Sequence, residues 1–234
     1  MKRRIGQAAV FMLLLSAPQA NAQLVGRAVY ELGVATTDVG DDEGAGQAMY
    51  GFGLSLAYTF VPGGGGLGFV FGADLLVRGF GIDVPGRFEG SAGVFDQSDL
   101  LVDEFVGLQI RDVIAGLYFE QRRINRGTLL GKIGFPASGI GVLVRLAFEP
   151  ARSYLQITYA GFSSGELQLQ GADMRPEVDS GRSIRISGQY AVRSHWAIRG
   201  EYADTRMGFA PNFPLFDFYD HRQRTVSAGV SVEF

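Results

Sequence analysis

The sequence predicts an all-β fold, a transmembrane antiparallel up-and-down β-barrel of ten strands, and three observations carry that expectation. Segment after segment alternates apolar with small or polar residues. In the closing stretch Val226, Ala228, Val230, Val232 and Phe234 alternate with Ser227, Gly229, Ser231 and Glu233. The composition is rich in glycine (34) and aromatics (18 Phe, 9 Tyr), yet only 19% of residues are charged. No stretch after residue 22 approaches the ~20 continuous apolar residues of a membrane helix. Side chains on a strand alternate between two faces, so each segment has one apolar and one polar side. In a bilayer every backbone polar group needs an internal partner, which forces such strands to close into a ring.

Residues 1–22 read as a cleavable secretory signal, leaving residues 23–234 as one barrel domain. Lys2, Arg3 and Arg4 form a charged start, Val10 to Leu15 an apolar run, and Ala20-Asn21-Ala22 a small-residue cleavage site. There is no cysteine, so no disulfide supports the exported chain. A net charge of −3 with no Lys/Arg-rich run argues against nucleic acid as a partner.

Taken in order, strand one covers about 26–36 and is followed by an acidic loop, Asp38 to Gly44. Strand two, about 48–60, alternates Tyr50, Phe52, Leu54, Leu56, Tyr58 and Phe60 with Gly, Ser, Ala and Thr. A glycine turn at 63–66 leads to strand three, about 67–80. Residues 81–103 read as a long Gly, Asp and Ser-rich loop. Strand four runs from about 105 to 121, with a phase slip at Asp112 that is read as a β-bulge. Arg122 to Arg126 then form a basic turn, strand five covers about 127–135, and Pro136-Ala137-Ser138-Gly139 turns into strand six, about 140–149. Strand seven spans 153 to about 170, strand eight about 182–192 and strand nine about 196–206. A last loop, 207–221, precedes the closing strand.

An eight-stranded alternative makes residues 81–138 one large loop with a projecting hairpin. Charge sorting favours ten strands. The segments 38–46 and 81–103 then each sum to −4 and 171–181 to −2, while the turns on the opposite side, 122–126 among them, are neutral or basic. Phe60, Phe119, Phe148, Trp196 and Phe234 are placed beside short turns or the chain end, as an interfacial aromatic girdle requires.

The signal ending Ala20-Asn21-Ala22, the repeated amphipathic strands, the lack of Cys and the ending Val230-Ser231-Val232-Glu233-Phe234 together resemble small Gram-negative outer-membrane β-barrel proteins. The resemblance implies an outer-membrane location, contact with outer-membrane lipid and lipopolysaccharide, and recognition of Val230, Val232 and Phe234 by the barrel-assembly machinery. It singles out no subfamily.

Candidate chemistry is sparse. Arg27, Glu31, Asp74, Arg78, Lys132, Arg145, Glu149, Arg185, Arg199 and Glu201 fall on the expected inner face. Small barrels are filled by side chains, and buried charges must pair, so these residues are expected to plug the interior as an ion-pair network. A narrow charge-lined pore is the alternative. The two histidines, His195 and His221, lack a following Ser two positions on, and the chain is expected not to be an enzyme. An Asp/His pair of His221 with Asp217 or Asp220 is the weaker option. Gly63-x-Gly65-x-x-Gly68 matches a dinucleotide fingerprint in letters only, since a strand rather than a helix follows. Asp38, Asp41, Asp42 and Glu43 do not have the spacing of a full calcium loop, and neither metal nor cofactor is expected. Phe209, Phe213, Phe216, Phe218 and Tyr219 concentrate aromatics in one external loop, a candidate contact surface for an extracellular partner. The expected role is therefore structural or surface-interacting, with a narrow channel or transporter for small polar or hydrophobic solutes as the rival.

Overall fold

The computed structural model describes residues 22–39, 46–61, 67–81, 97–128, 131–149, 152–165, 168–169, 178–209 and 220–234. Period-two alternation in these segments produces ten long strands. They are β1 (Ala22–Val39), β2 (Gly46–Phe60), β3 (Leu67–Gly81), β4 (Gln97–Ile110), β5 (Val113–Thr128), β6 (Gly131–Glu149), β7 (Ser153–Gly165), β8 (Val178–Arg193), β9 (Trp196–Phe209) and β10 (Asp220–Glu233). Each pairs antiparallel with the next, and β10 returns to β1, from Arg27 opposite Glu233 to Val39 opposite His221. The ring is thus closed. A further two-residue strand, Gln168–Leu169, pairs with Ile133 and Gly134 past the end of β7 and stands outside the ring.

Up-and-down order sorts the connections between two rims. The facing ends of β2 and β3, β4 and β5, β6 and β7, and β8 and β9 lie at one rim, the turn end. Those of β1 and β2, β3 and β4, β5 and β6, β7 and β8, and β9 and β10 lie at the other, the loop end. Strands of 13 to 19 residues exceed the roughly 9–11 that a tilted strand needs to cross a bilayer, so the wall extends beyond its apolar band.

The outward face is apolar. Phe52 is 59% exposed, Ile198 54% and Phe234 76%, and comparable Leu, Val, Ile and Tyr side chains recur on every strand. The inward face holds the buried arginines, carboxylates, Ser, Thr and Gln. That inversion, greasy outside and polar inside, is the signature of a wall solvated by lipid. Phe60, Phe148, Trp196 and Phe234 lie at the turn end, where a girdle belongs; Phe119 instead sits in mid-wall on β5, opposite Glu104.

Ten strands are present, but two of the expected boundaries are wrong and their errors cancel in the count. The phase slip at Asp112 is a hairpin, not a bulge: Ile110 lies opposite Val113 across a two-residue turn at Arg111 and Asp112. A tight hairpin and a bulge both shift alternation by one residue, and Arg-Asp lacks the Asn-Gly or Gly signature of such turns. Arg111 nevertheless adopts φ 54°. Conversely, Pro136 to Gly139 is no turn but part of the continuous β6. Pro136 lies opposite Arg123 of β5, while on the other side the β7 pairing ends at Ala137 and Gly165. A proline without an N–H is tolerated where a ladder is interrupted.

The basic stretch at 122–126 is likewise inside β5, toward the loop end, so it is not one of the turns that the charge sorting set opposite the acidic loops. The expected loop at 81–103 ends earlier, because β4 begins at Gln97. Strand seven ends at Gly165 rather than 170. Of the expected signal, residues 1–22, all but Ala22 lie outside the described residues.

Candidate functional site: the filled barrel interior

Small inward residues on β2 and β10, among them Gly51 and Ser227, make room for long ones on β3, β8 and β9. Gly51 shows the principle. It lies opposite Glu31 on one side and Arg78 on the other, and a Cβ on it would come within 2.7 Å of Glu31 Cγ. Without that Cβ, Arg78 reaches across β2: its Nε donates to Glu31 Oε1 at 2.6 Å, and its Nη2 donates to Glu201 on β9. Ser227 Oγ donates to the other Glu31 oxygen at 3.1 Å.

Glu201 is the shared acceptor. Besides Arg78 it takes Arg185 Nη2 at 2.9 Å and Arg199 Nη2 at 2.8 Å. Arg185 continues the network to Asp103 and to Tyr118 Oη at 2.8 Å, and Tyr118 donates in turn to Asp103 Oδ1 at 2.6 Å. Nearer the loop end, Arg122 grips Asp99 through Nε at 3.0 Å and Nη2 at 2.5 Å, and also reaches Thr205 and Gln223. Glu120 stands between the two groups, 3.3 Å from Tyr118 Oη and 3.9 Å from Arg122 Nη1.

Arg145 is held differently. Its Nε donates to Gln156 Oε1 at 2.7 Å, and its guanidinium lies 4.3 Å from the Tyr154 ring centre and 4.8 Å from that of Phe105. Such cation–π contacts supply attraction without a counter-charge. At the turn end Glu233 sits between Arg27 at 3.5 Å and Arg152 at 3.4 Å, and Arg152 Nη2 donates to Ser194 O at 2.6 Å.

Apolar side chains complete the filling. Val70, Phe105, Ile114, Tyr118, Leu143 and Ala160 form one cluster. Toward the loop end, Ala35, Met49 and Phe80 form a second, and Ile124, Ala137, Phe162 and Met207 a third. The void beside Asp74, Asp103, Arg185 and Arg199 has a volume of about 10 Å³, roughly the space of one water.

Seven of the ten expected interior charges, Arg27, Glu31, Arg78, Arg145, Arg185, Arg199 and Glu201, are buried inside the ring. Asp74 is half-buried on the same face of β3 as Arg78. Lys132 and Glu149 lie on β6, and their side chains are outside what is described. Four further members, Asp99, Asp103, Glu120 and Arg122, are buried in the same network; the misplaced loop hid Asp99 and Asp103 and the misplaced turn hid Arg122, whereas Glu120 lies within the expected strand four. The missed signal was period two itself: Asp99, Leu101, Asp103 and Phe105 are all inward, as are Tyr118, Glu120, Arg122 and Ile124.

His221 is buried on β10 near the loop end, and His195 is exposed in the turn after β8. Asp217 and the side chain of Asp220 lie outside the described residues, so the Asp/His pair is not defined by the structure. Asp38 forms an ion pair with Arg224 at 2.6 Å, and Asp41, Asp42 and Glu43 are outside the described residues. Among the described residues no group of three His, Cys, Asp or Glu is arranged to hold a metal. Phe213, Phe216, Phe218 and Tyr219 lie outside the described residues, and only the backbone of Phe209 is described, at the end of β9. Val230 and Phe234 face outward and exposed, with Val232 half-buried beside them.

Fold and interior together define a membrane-spanning antiparallel β-barrel with a charge-filled core. No family model matches the chain, and no curated protein matches it. Among solved structures it is similar to the outer membrane protease OmpT from Escherichia coli, at 11% identity over 90% of this chain and 96% of that one, with a TM-score of 0.42. It is also similar to Neisserial surface protein A (13% identity, 92% and 99% covered, TM-score 0.33). A third likeness is to the COG4313 outer membrane channel from Pseudomonas putida F1 (11% identity, 93% and 97% covered, TM-score 0.38). A protease, a surface protein and a channel share no activity that a common barrel could assign.

Proposed function

We propose that this chain is a non-conducting, non-enzymatic outer-membrane barrel whose loop end makes contacts outside the cell. The observation that carries the reading is Arg78, fully buried, which spans the interior between Glu31 of β1 and Glu201 of β9. A guanidinium held between carboxylates of two strands fills the lumen at its level, and the adjoining void takes no more than about one water. Leaving one partner of such a buried pair without the other costs about 3–5 kcal/mol, which keeps an open arrangement a minor population.

Planar bilayer recording tests this. The wild-type barrel should show no discrete current steps, whereas Arg78→Ala combined with Arg185→Ala should produce them. Steps in the wild type that disappear on altering Arg78 would replace the plug with a pore.

One feature favours a second reading, a lateral route for an apolar solute. A cleft of about 740 Å³ opens where the β6–β7 pairing stops, lined by residues including Leu100, Gln121, Pro136, Ser138 and Ser164. Saturable binding of a fluorescent apolar probe that is lost in Ser138→Trp would support it; non-saturable partitioning would remove it.

A further inference from the structure

Charged side chains on the outward face of the strands keep to the loop ends, with one exception. Among the described residues, Arg123, Arg182, Arg206 and the Asp204–Arg222 pair all stand toward the loop ends of their strands. Glu104 stands in the middle of β4 and is exposed, with Leu100 and Val102 on its loop side and Val106, Leu108 and Ile110 on its turn side. Four residues separate it from Leu100, the nearer edge of that apolar run (100 to 104). Four residues of a strand tilted by about 40° cover roughly 10 Å of depth, farther than a glutamate side chain extends. On a lone barrel its carboxylate therefore meets hydrocarbon.

The barrel itself supplies no partner. Across the ladders Glu104 lies opposite Ala73 of β3 and Phe119 of β5, and neither side chain can donate a hydrogen bond. No hydrogen bond or ion pair to Glu104 forms among the described residues, and all three strands are described on either side of it. An ionisable group inside a membrane pairs with an opposite charge or lines a wet cavity, and the outer wall offers neither. Its flanks show what fits. Ala73 leaves space beside the carboxylate on one side, and the Phe119 ring, 37% exposed, bounds the other. A carboxylate and an aromatic face side by side both attract a cation.

We infer that the β3–β5 face around Glu104 docks a transmembrane segment of a second protein that presents a lysine ammonium at the middle of the bilayer. Depth selects the occupant. The charged head of a cationic amphiphile stays at the membrane surface, so a cation this deep has to be carried by a spanning segment. A second copy of this chain fits less well. Copies inserted in the same sense meet at equal depths, and the outward arginines of the described strands all stand nearer the loop end than Glu104 does. The contact lies on the outer wall alone, so partner binding and conductance can fail separately.

The test uses the full barrel in lipid vesicles with three synthetic transmembrane helices as probes. One is a polyleucine segment with a lysine at its centre, one has leucine there, and one has the lysine moved to its end. The chain has no cysteine, so a fluorophore on Asp112→Cys in the β4–β5 turn reports energy transfer to a labelled helix. The barrel with Glu104 intact should bind the central-lysine helix about tenfold more tightly than either of the others. Glu104→Gln, which keeps the size and removes the charge, should bind all three alike. Tyr202→Phe, on β9 across the ring, should keep the preference. Equal binding of the three helices with Glu104 intact would overturn the assignment, and so would a central-lysine preference that survives Glu104→Gln. Energy transfer between two labelled barrels that Glu104→Gln abolishes would overturn it too, putting a second copy in place of the foreign segment. If Glu104→Gln does not fold, the three-helix comparison with Glu104 intact still decides.

Discussion

Arg78, Arg185 and Arg199 all donate to the carboxylate of Glu201, and all four are buried. Replacing Glu201 by Gln removes the charge that lets three arginines be buried together. We expect a loss of about 3–5 kcal/mol, read as a lower urea midpoint for the barrel in lipid vesicles. Asp204→Asn breaks a half-exposed pair with Arg222 and should cost under about 1 kcal/mol in the same assay. Glu104 presents the opposite case. It is exposed on the outward face of β4 between Val102 and Val106, opposite Ala73 and Phe119, and has no ion-pair partner among the described residues. A carboxylate facing lipid is unfavourable, though less so than a lysine or arginine. Glu104→Leu should therefore stabilise the barrel in a bilayer by about 1–2 kcal/mol; an unchanged urea midpoint would show that the carboxylate escapes the lipid.

Among the elements, the β4–β5 hairpin is the one built against local preference. Arg111 holds φ 54° with a side chain attached, a left-handed conformation that costs an L-residue roughly 1–2 kcal/mol. The turn is kept in place by Gln109 Nε2, which donates to Arg111 O at 3.0 Å, and by Ala147 N of β6, which donates to Asp112 O at 2.7 Å. Arg111→Gly should raise stability by about 1 kcal/mol, measured by denaturant unfolding, and Arg111→Val should lower it. This hairpin also shows where the sequence stops being legible. The alternation itself is legible: Val106, Leu108 and Ile110 share one face of the sequence pattern, as do Val113, Ala115 and Leu117 after the slip, and all six are exposed on the outward face. What alternation cannot reveal is whether a slip of one residue bends the strand or reverses it. Charge misled in a related way. Asp103 beside Glu104, and Arg122 beside Arg123, look like solvated loops, because charges usually mark water. In this barrel the charge-bearing compartment is the interior, and each pair is simply one inward and one outward residue. Pro136-Ala137-Ser138-Gly139 misled through turn chemistry, since its proline occupies a break in pairing rather than a reversal of the chain.

At the scale of the whole molecule, closure removes the exposed edges that would otherwise template aggregation. The β1–β10 seam is an ordinary ladder from Arg27–Glu233 to Val39–His221, and Phe234 N donates to Gly26 O at 3.0 Å. Nothing in the ring distinguishes that seam from the β4–β5 pairing. A circular permutant, with residue 234 linked to residue 22 and new termini cut between Arg111 and Asp112, should therefore refold in detergent micelles to the same heat-modifiable species. In living cells the same permutant carries Phe234 in mid-chain. Its insertion there would show that export machinery reads the finished wall, and its failure that a free aromatic terminus is what is read.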